Sequence, residues 1–192
     1  GMRTVLQRVS GHLSVTERAK VSQALLRPDK YLRQYSYVTL PTQQESGRLN
    51  DTQILRLQFD ETQIDGLLRK AQLPIWGSNR PLTILWLTLD DGIERRTLAS
   101  GETTELVKEI REHTRRRGLP LILPLMDLQD KFSLPVTEAW GLFRQTLEQA
   151  SERYQPDAIL AGRMYQDENQ IWHGRWQFIF NGKAVGFSIG SD

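Results

Sequence analysis

Two acidic stretches carry the residue types that metal-assisted hydrolysis needs. Asp90 and Asp91 follow the apolar run Leu82 to Leu89, and Asp127 and Asp130 follow the run Leu119 to Leu125. If both runs are parallel strands, ligands bind outside their carboxyl ends. Carboxylates from neighbouring strand ends can hold Mg²⁺ through oxygen and activate water for hydrolysis. The ordinary alternative is turn chemistry, because Asp is favoured in turns and at helix starts and Asp90-Asp91-Gly92 is a common turn. Arg80 and Arg163 are the cations that would meet a small anion or nucleotide-like ligand in such a crevice.

The segment Trp76-Gly77-Ser78-Asn79-Arg80 places a large aromatic among turn formers. Trp76, Asn79 and Arg80 either anchor a ligand or partner, as Trp and Arg often do, or Trp76 plugs the seam between two halves of the chain. Other chemistries lack parts. Gly186-Phe187-Ser188-Ile189-Gly190 matches the nucleophile-elbow pattern, but no helix and no later His follow it. His12, His113 and His173 lie far apart in sequence with no ligand spacing. Arg115, Arg116 and Arg117 end a helical pattern just before Gly118, where cations favour the helix dipole. No Walker A or G-x-G-x-x-G loop is present.

These residues need a scaffold. Arg3 to Ser10 and Ser14 to Arg27 read as helices, Tyr31 to Leu40 and Gln53 to Phe59 as strands around a polar loop at 42–50, and Asp60 opens a helix ending near Ala71. Gln72 to Pro81, with two prolines, a Gly and an Asn, is the clearest boundary. Beyond it, Leu82 to Leu89 suits a strand covered on both faces, Glu102 to Arg117 a helix, and Leu119 to Leu125 a second buried strand. Val136 to Tyr154 reads as one helix and Asp157 to Tyr165 as a strand. Gln170 to Phe180 is a strand with Trp172, Gly174, Trp176, Phe178 and Phe180 on one face, and Asn181-Gly182 turns it into Ala184 to Ile189. Helical crossovers make the first three strands parallel and the last ones an antiparallel meander. The expectation is an α+β chain. Residues 1–71 form a helix, β-hairpin and helix portion, 72–81 a linker loop, and 82–192 an α/β-like portion with a mixed sheet flanked by helices, with the option of one compact unit.

Composition closes further doors. The chain has 192 residues, no Cys and a net charge of +2, so disulfides, thiol catalysis and iron–sulfur clusters are excluded. Bulk charge points to no nucleic-acid partner. The first forty residues carry seven basic side chains against Glu17 and Asp29, a pattern read as solvated helix faces. No apolar run is long enough for a membrane span. Gly1 ahead of Met2 looks like an expression remnant, and a natural chain extending past both ends is expected.

Four blocks resemble a known family. Leu6-Gln7-Arg8-Val9-Ser10-Gly11, Leu73 to Pro81, Arg117 to Leu121 with Pro124-Leu125-Met126-Asp127, and Asp157 to Arg163 look like the uncharacterised proteobacterial family catalogued as domain of unknown function two thousand sixty-six. Tyr154 to Phe180 is similar to the amino-terminal domain of the translocation protein TolB. The first resemblance implies an exported or periplasmic protein with no catalytic residues to carry over. The second implies, by fold analogy only, a scaffold for envelope complexes. The reading is therefore a non-enzymatic, partner-binding envelope module without a cofactor. The alternative is a Mg²⁺-dependent hydrolase through Asp90, Asp91, Asp127 and Asp130, or a small-anion or nucleotide binder in the strand-end crevice.

Overall fold

A computed structural model of the chain describes residues 1–43, 49–77 and 79–189. Most of the polar loop expected at 42–50, together with Ser78 and Gly190, lies outside them. The fold is α+β and divides into two units, Gly1–Ser78 and Asn79–Asp192, at a point inside the 72–81 loop.

In the first unit, α1 (Met2–Ser10) stops at Gly11, whose φ of 71° suits a residue without a Cβ. The single helix expected over 14–27 is instead a 3₁₀ turn at Leu13–Glu17 followed by α2 (Ala19–Leu25), with Arg18 extended between them. The β-branched Val15 and Thr16 fall in that turn, where helix propensity is reduced. β1 (Leu32–Gln43) and β2 (Leu49–Phe59) pair antiparallel, with Tyr35 opposite Leu57 and Tyr37 opposite Leu55. α3 (Glu61–Lys70) is capped as its sequence suggests, the Gln63 amide donating to Asp60 Oδ1 at 2.9 Å. Leu6, Val15, Val21, Ile64 and Leu68 form the centre of this unit's core.

The second unit is built on β3 (Thr83–Asp90), buried on both faces along its middle. It pairs antiparallel with β4 (Arg95–Thr97), a strand the sequence did not announce. α4 (Glu105–Arg117) ends at Gly118 with φ 65°. β5 shrinks to Leu121–Ile122 and runs parallel to the first two residues of β3. β6 (Ala158–Gln166) runs parallel to β3 along its whole length, and β7 (Trp172–Phe180) and β8 (Lys183–Ile189) continue antiparallel. The strand order is β4-β3-β6-β7-β8, with β5 beside β3.

Each sheet face has its own core. Ile84, Trp86, Ile159, Ala161 and Ile179 pack with Leu134, Ala139 and Leu147 on one side. Leu85, Leu87 and Leu89 pack with Leu98, Val107 and Leu123 on the other. Burying such side chains contributes roughly 1.5–3 kcal/mol each. Leu82 and Asp157 lock the start of the central pair: the Leu82 amide donates to Asp157 Oδ2 at 2.7 Å and the Asp157 amide to the Leu82 carbonyl at 2.8 Å.

The helix expected over 136–154 is broken. α5 (Leu128–Ser133) precedes it, and α6 (Val136–Gly141) and α7 (Arg144–Ser151) are separated by Leu142, at φ 54° and ψ 40°. Gly141 permits the break, because the Phe143 ring folds back to 3.0 Å from where a Cβ on Gly141 would stand.

Candidate functional site

The carboxylates are the first test. β5 ends level with Ile84, whereas Asp90 lies six residues further along β3, about 20 Å at ~3.3 Å per residue. Asp127 and Asp130 are drawn the other way, onto Arg153, which precedes β6. The shared Mg²⁺ set expected of Asp90, Asp91, Asp127 and Asp130 is therefore not assembled. Among the described residues no group of three or more His, Cys, Asp or Glu side chains is placed to hold a metal.

Each acid has a structural partner instead. Asp90 takes Arg95 at 2.7 Å and the Gly92 amide at 3.1 Å, and the Arg95 bond holds its carboxyl below the usual range. Asp91 accepts the amides of Glu94 and Ile93, which lower it likewise. Together they shape the β3–β4 turn. Asp127 caps α5 through the Asp130 amide and grips Arg153, chiefly the latter lowering its carboxyl. Asp130 has a fully buried side chain and accepts from Arg153, the Met126 amide and the Tyr154 hydroxyl. Burial and then that bond push the Tyr154 phenol up to about 12. The Arg153 guanidinium stands where a metal would need to be.

The loop residues behave similarly. Arg80 donates to the carbonyls of Arg117 and Gly118, the latter at 2.7 Å, so it caps the end of α4. Trp76 is half exposed, donates its amide to the Val9 carbonyl at 2.7 Å, and lies against Gly11. Asn79 is exposed.

Arg163 is different. It leaves β6 directly opposite Arg175 of β7, and like charges in that position repel. Neither guanidinium has an ion-pair partner among the described residues. Arg163 donates to the Trp140 carbonyl at 3.2 Å, and its guanidinium carbon lies 5.4 Å from the Trp140 ring centre, with Arg95 at 4.0 Å from the same ring. A cavity of about 330 Å³ is lined by Gly141, Leu142, Arg163, Arg175, Gln177 and Gly186, together with Trp176. None of these is acidic. Arg163 Nε and Gln177 Oε1 are buried without a hydrogen-bond partner, which in a native protein calls for an explanation. The indole of Trp176 belongs elsewhere, since it crosses Gly162 and packs with the core on the other face.

Sequence reasoning found Arg163 and missed Arg175, Gln177, Gly141, Leu142 and Gly186. The alternation of β7 carries the missing signal. With Trp176 and Phe178 on one face, Arg175 and Gln177 must share the other, where a core strand would place apolar residues. A second cavity of about 400 Å³, beside Ile110, Leu121, Leu123 and Leu125, has its polar neighbours engaged. Arg111 bonds the Ser100 carbonyl, and Tyr154 sits between the Leu125 amide and Asp130.

No helix among the described residues is long and apolar enough to cross a membrane. No curated protein and no solved structure matches the chain. Residues 1–77, within the first unit, match the model of a domain of unknown function (DUF8605).

Proposed function

We propose that this chain is a non-enzymatic binding module of the cell envelope whose second unit takes a small anionic group at Arg163 and Arg175. The observation that carries the reading is the direct opposition of these two arginines, with no carboxylate lining their cavity. A bound anion would relieve their repulsion and partner the buried Arg163 Nε. Leu142, which lines the cavity, takes its left-handed conformation as the C-cap of α6. The envelope setting rests on the resemblance to the proteobacterial family and to the TolB amino-terminal domain. Titration of the isotope-labelled chain with phosphate, sulfate and acetate, followed by NMR, tests the site. Shifts should centre on Arg163, Arg175 and Gln177, and Arg163→Gln should weaken them about tenfold, the loss of one charged hydrogen bond. Absence of saturable shifts there would sink the reading.

A second reading concerns a protein partner. Among the described residues β8 is an edge strand, exposed along its length, with Val185 at 61% and Ile189 at 60% exposure on the same face as Phe187. An open edge with an apolar face suits an extended segment added as a further strand. Val185→Lys with Ile189→Lys should abolish pull-down of an envelope partner without altering the circular dichroism spectrum.

A further inference from the structure

We infer that the group recognised at Arg163 and Arg175 is a doubly charged oxyanion, the phosphate of a small phosphomonoester, rather than a carboxylate. The inference rests on the anion-site reading above and adds the ligand's charge and shape. Directly opposed residues of an antiparallel pair have Cβ atoms about 4.5–5.5 Å apart, and Arg163 and Arg175 are such a pair. Both side chains therefore start from one face and can reach one group. Two guanidinium charges meet there, and a carboxylate neutralises only one of them. A phosphomonoester carries about −1.5 to −2 near neutral pH and offers three acceptor oxygens. Each planar guanidinium fork can take an oxygen, and a third remains for the Gln177 amide, whose two ends exchange by rotation.

The backbone beside the cavity adds to this. α7 opens at Arg144, next but one to the cavity-lining Leu142, and its Phe143 cap offers no side-chain acceptor. Its first intrahelical bond runs from the Leu147 amide to the Phe143 carbonyl, which leaves the amides of Arg144, Gln145 and Thr146 without helical acceptors. Such a turn favours negative charge near it, and it lies next to the cavity lining without being part of it. The cavity volume of about 330 Å³ lies in the range of small-molecule sites, which leaves room for a small organic body beyond the phosphate.

The test uses the full chain, with methyl phosphate and acetate titrated at matched ionic strength and followed by calorimetry. Methyl phosphate passes from monoanion to dianion near pH 6, while arginine stays charged throughout. At pH 8, methyl phosphate should bind at least about tenfold tighter than acetate, and moving to pH 5 should cost about tenfold of that affinity. Arg175→Gln should remove both the preference and the pH step. Its side chain is exposed, so the variant should keep the wild-type circular dichroism spectrum. Equal binding of acetate and methyl phosphate, weakened in Arg175→Gln, would overturn the dianion inference and leave the anion site standing. Binding of neither probe, or binding indifferent to Arg175→Gln, would overturn both.

Discussion

Tyr154 donates its hydroxyl to Asp130 Oδ2 at 2.5 Å, and the same phenol oxygen accepts the Leu125 amide at 2.9 Å. This bond, with Arg153 and the Met126 amide on the same carboxylate, turns an apparent metal ligand into an internal tie between α5 and the end of α7. Asp130→Ala strands Tyr154, Met126 and one arm of Arg153 together. The expected loss is about 3 kcal/mol in urea unfolding, as for breaking a buried charged network. A loss below about 1 kcal/mol would show that the tie matters little.

The pH dependence has two limbs. Asp90, Asp91, Asp127 and Asp167 are held below the ordinary carboxylate value, chiefly by Arg95, the Glu94 amide, Arg153 and His173 respectively. A lowered acid stabilises the fold above its unfolded value of 3.8, and that contribution disappears as pH falls through the depressed range. The melting temperature should therefore fall as pH drops below about 4, by a modest amount because these carboxylates are exposed and screened by solvent. Tyr154 runs the other way. Its phenol is raised from 10 to about 12, so its contribution is intact below 10 and fades as pH climbs towards 12. A Tyr154→Phe variant should lose that alkaline limb, readable in pH-scanned thermal melts.

Gly162 lies directly opposite Trp176, and a Cβ there would run into the six-membered ring of the indole. Gly162→Ala should force the ring off its seat against Met164 and the Leu87 side of the sheet. We expect a destabilisation of about 1–3 kcal/mol from overpacking, with a change in the near-ultraviolet tryptophan signal. An unchanged spectrum would show that the ring has slack.

Gln155 ends the turn after α7 at φ 47° and is exposed. The left-handed conformation costs a residue with a Cβ about 1–2 kcal/mol. Gln155→Gly should raise stability by up to about 1 kcal/mol, after the greater unfolded-state entropy of glycine is counted. Chemical denaturation measures it, and a lower midpoint would contradict the strain.

Much of the scaffold was legible from periodicity. The apolar run at 82–89 gave a strand covered on both faces, Asn181-Gly182 a hairpin, and Gly118 a helix end, because each depends on local pattern. The break at Leu142 was hidden, since Trp140, Phe143 and Leu147 keep helical spacing across it. Only the Phe143 ring folding against Gly141 reveals the turn. β5 was overestimated because Leu119 to Leu125 is apolar enough for a long strand, yet Pro120 and Pro124 withhold amides from any ladder. Arg163 could be named from sequence, but its opposition to Arg175 depends on the β6–β7 register. The aspartates misled because turn caps and metal ligands share one composition.

The exchange of hydrogen bonds between Leu82 and Asp157 spans 75 residues. It closes the central parallel pair, on which both cores of the second unit rest. α5 and α6 have six residues each, too short to persist alone in water, so they gain helical form only once the sheet gives them a surface. The second unit should therefore fold slowly for its size, with β3 waiting for β6 while the intervening chain stays open. During synthesis, β3 leaves the ribosome well before its main partner exists. Leu85, Leu87 and Leu89 can meet Leu98, Val107 and Leu123 early, whereas the face of Ile84 and Trp86 is completed only after residue 158 arrives.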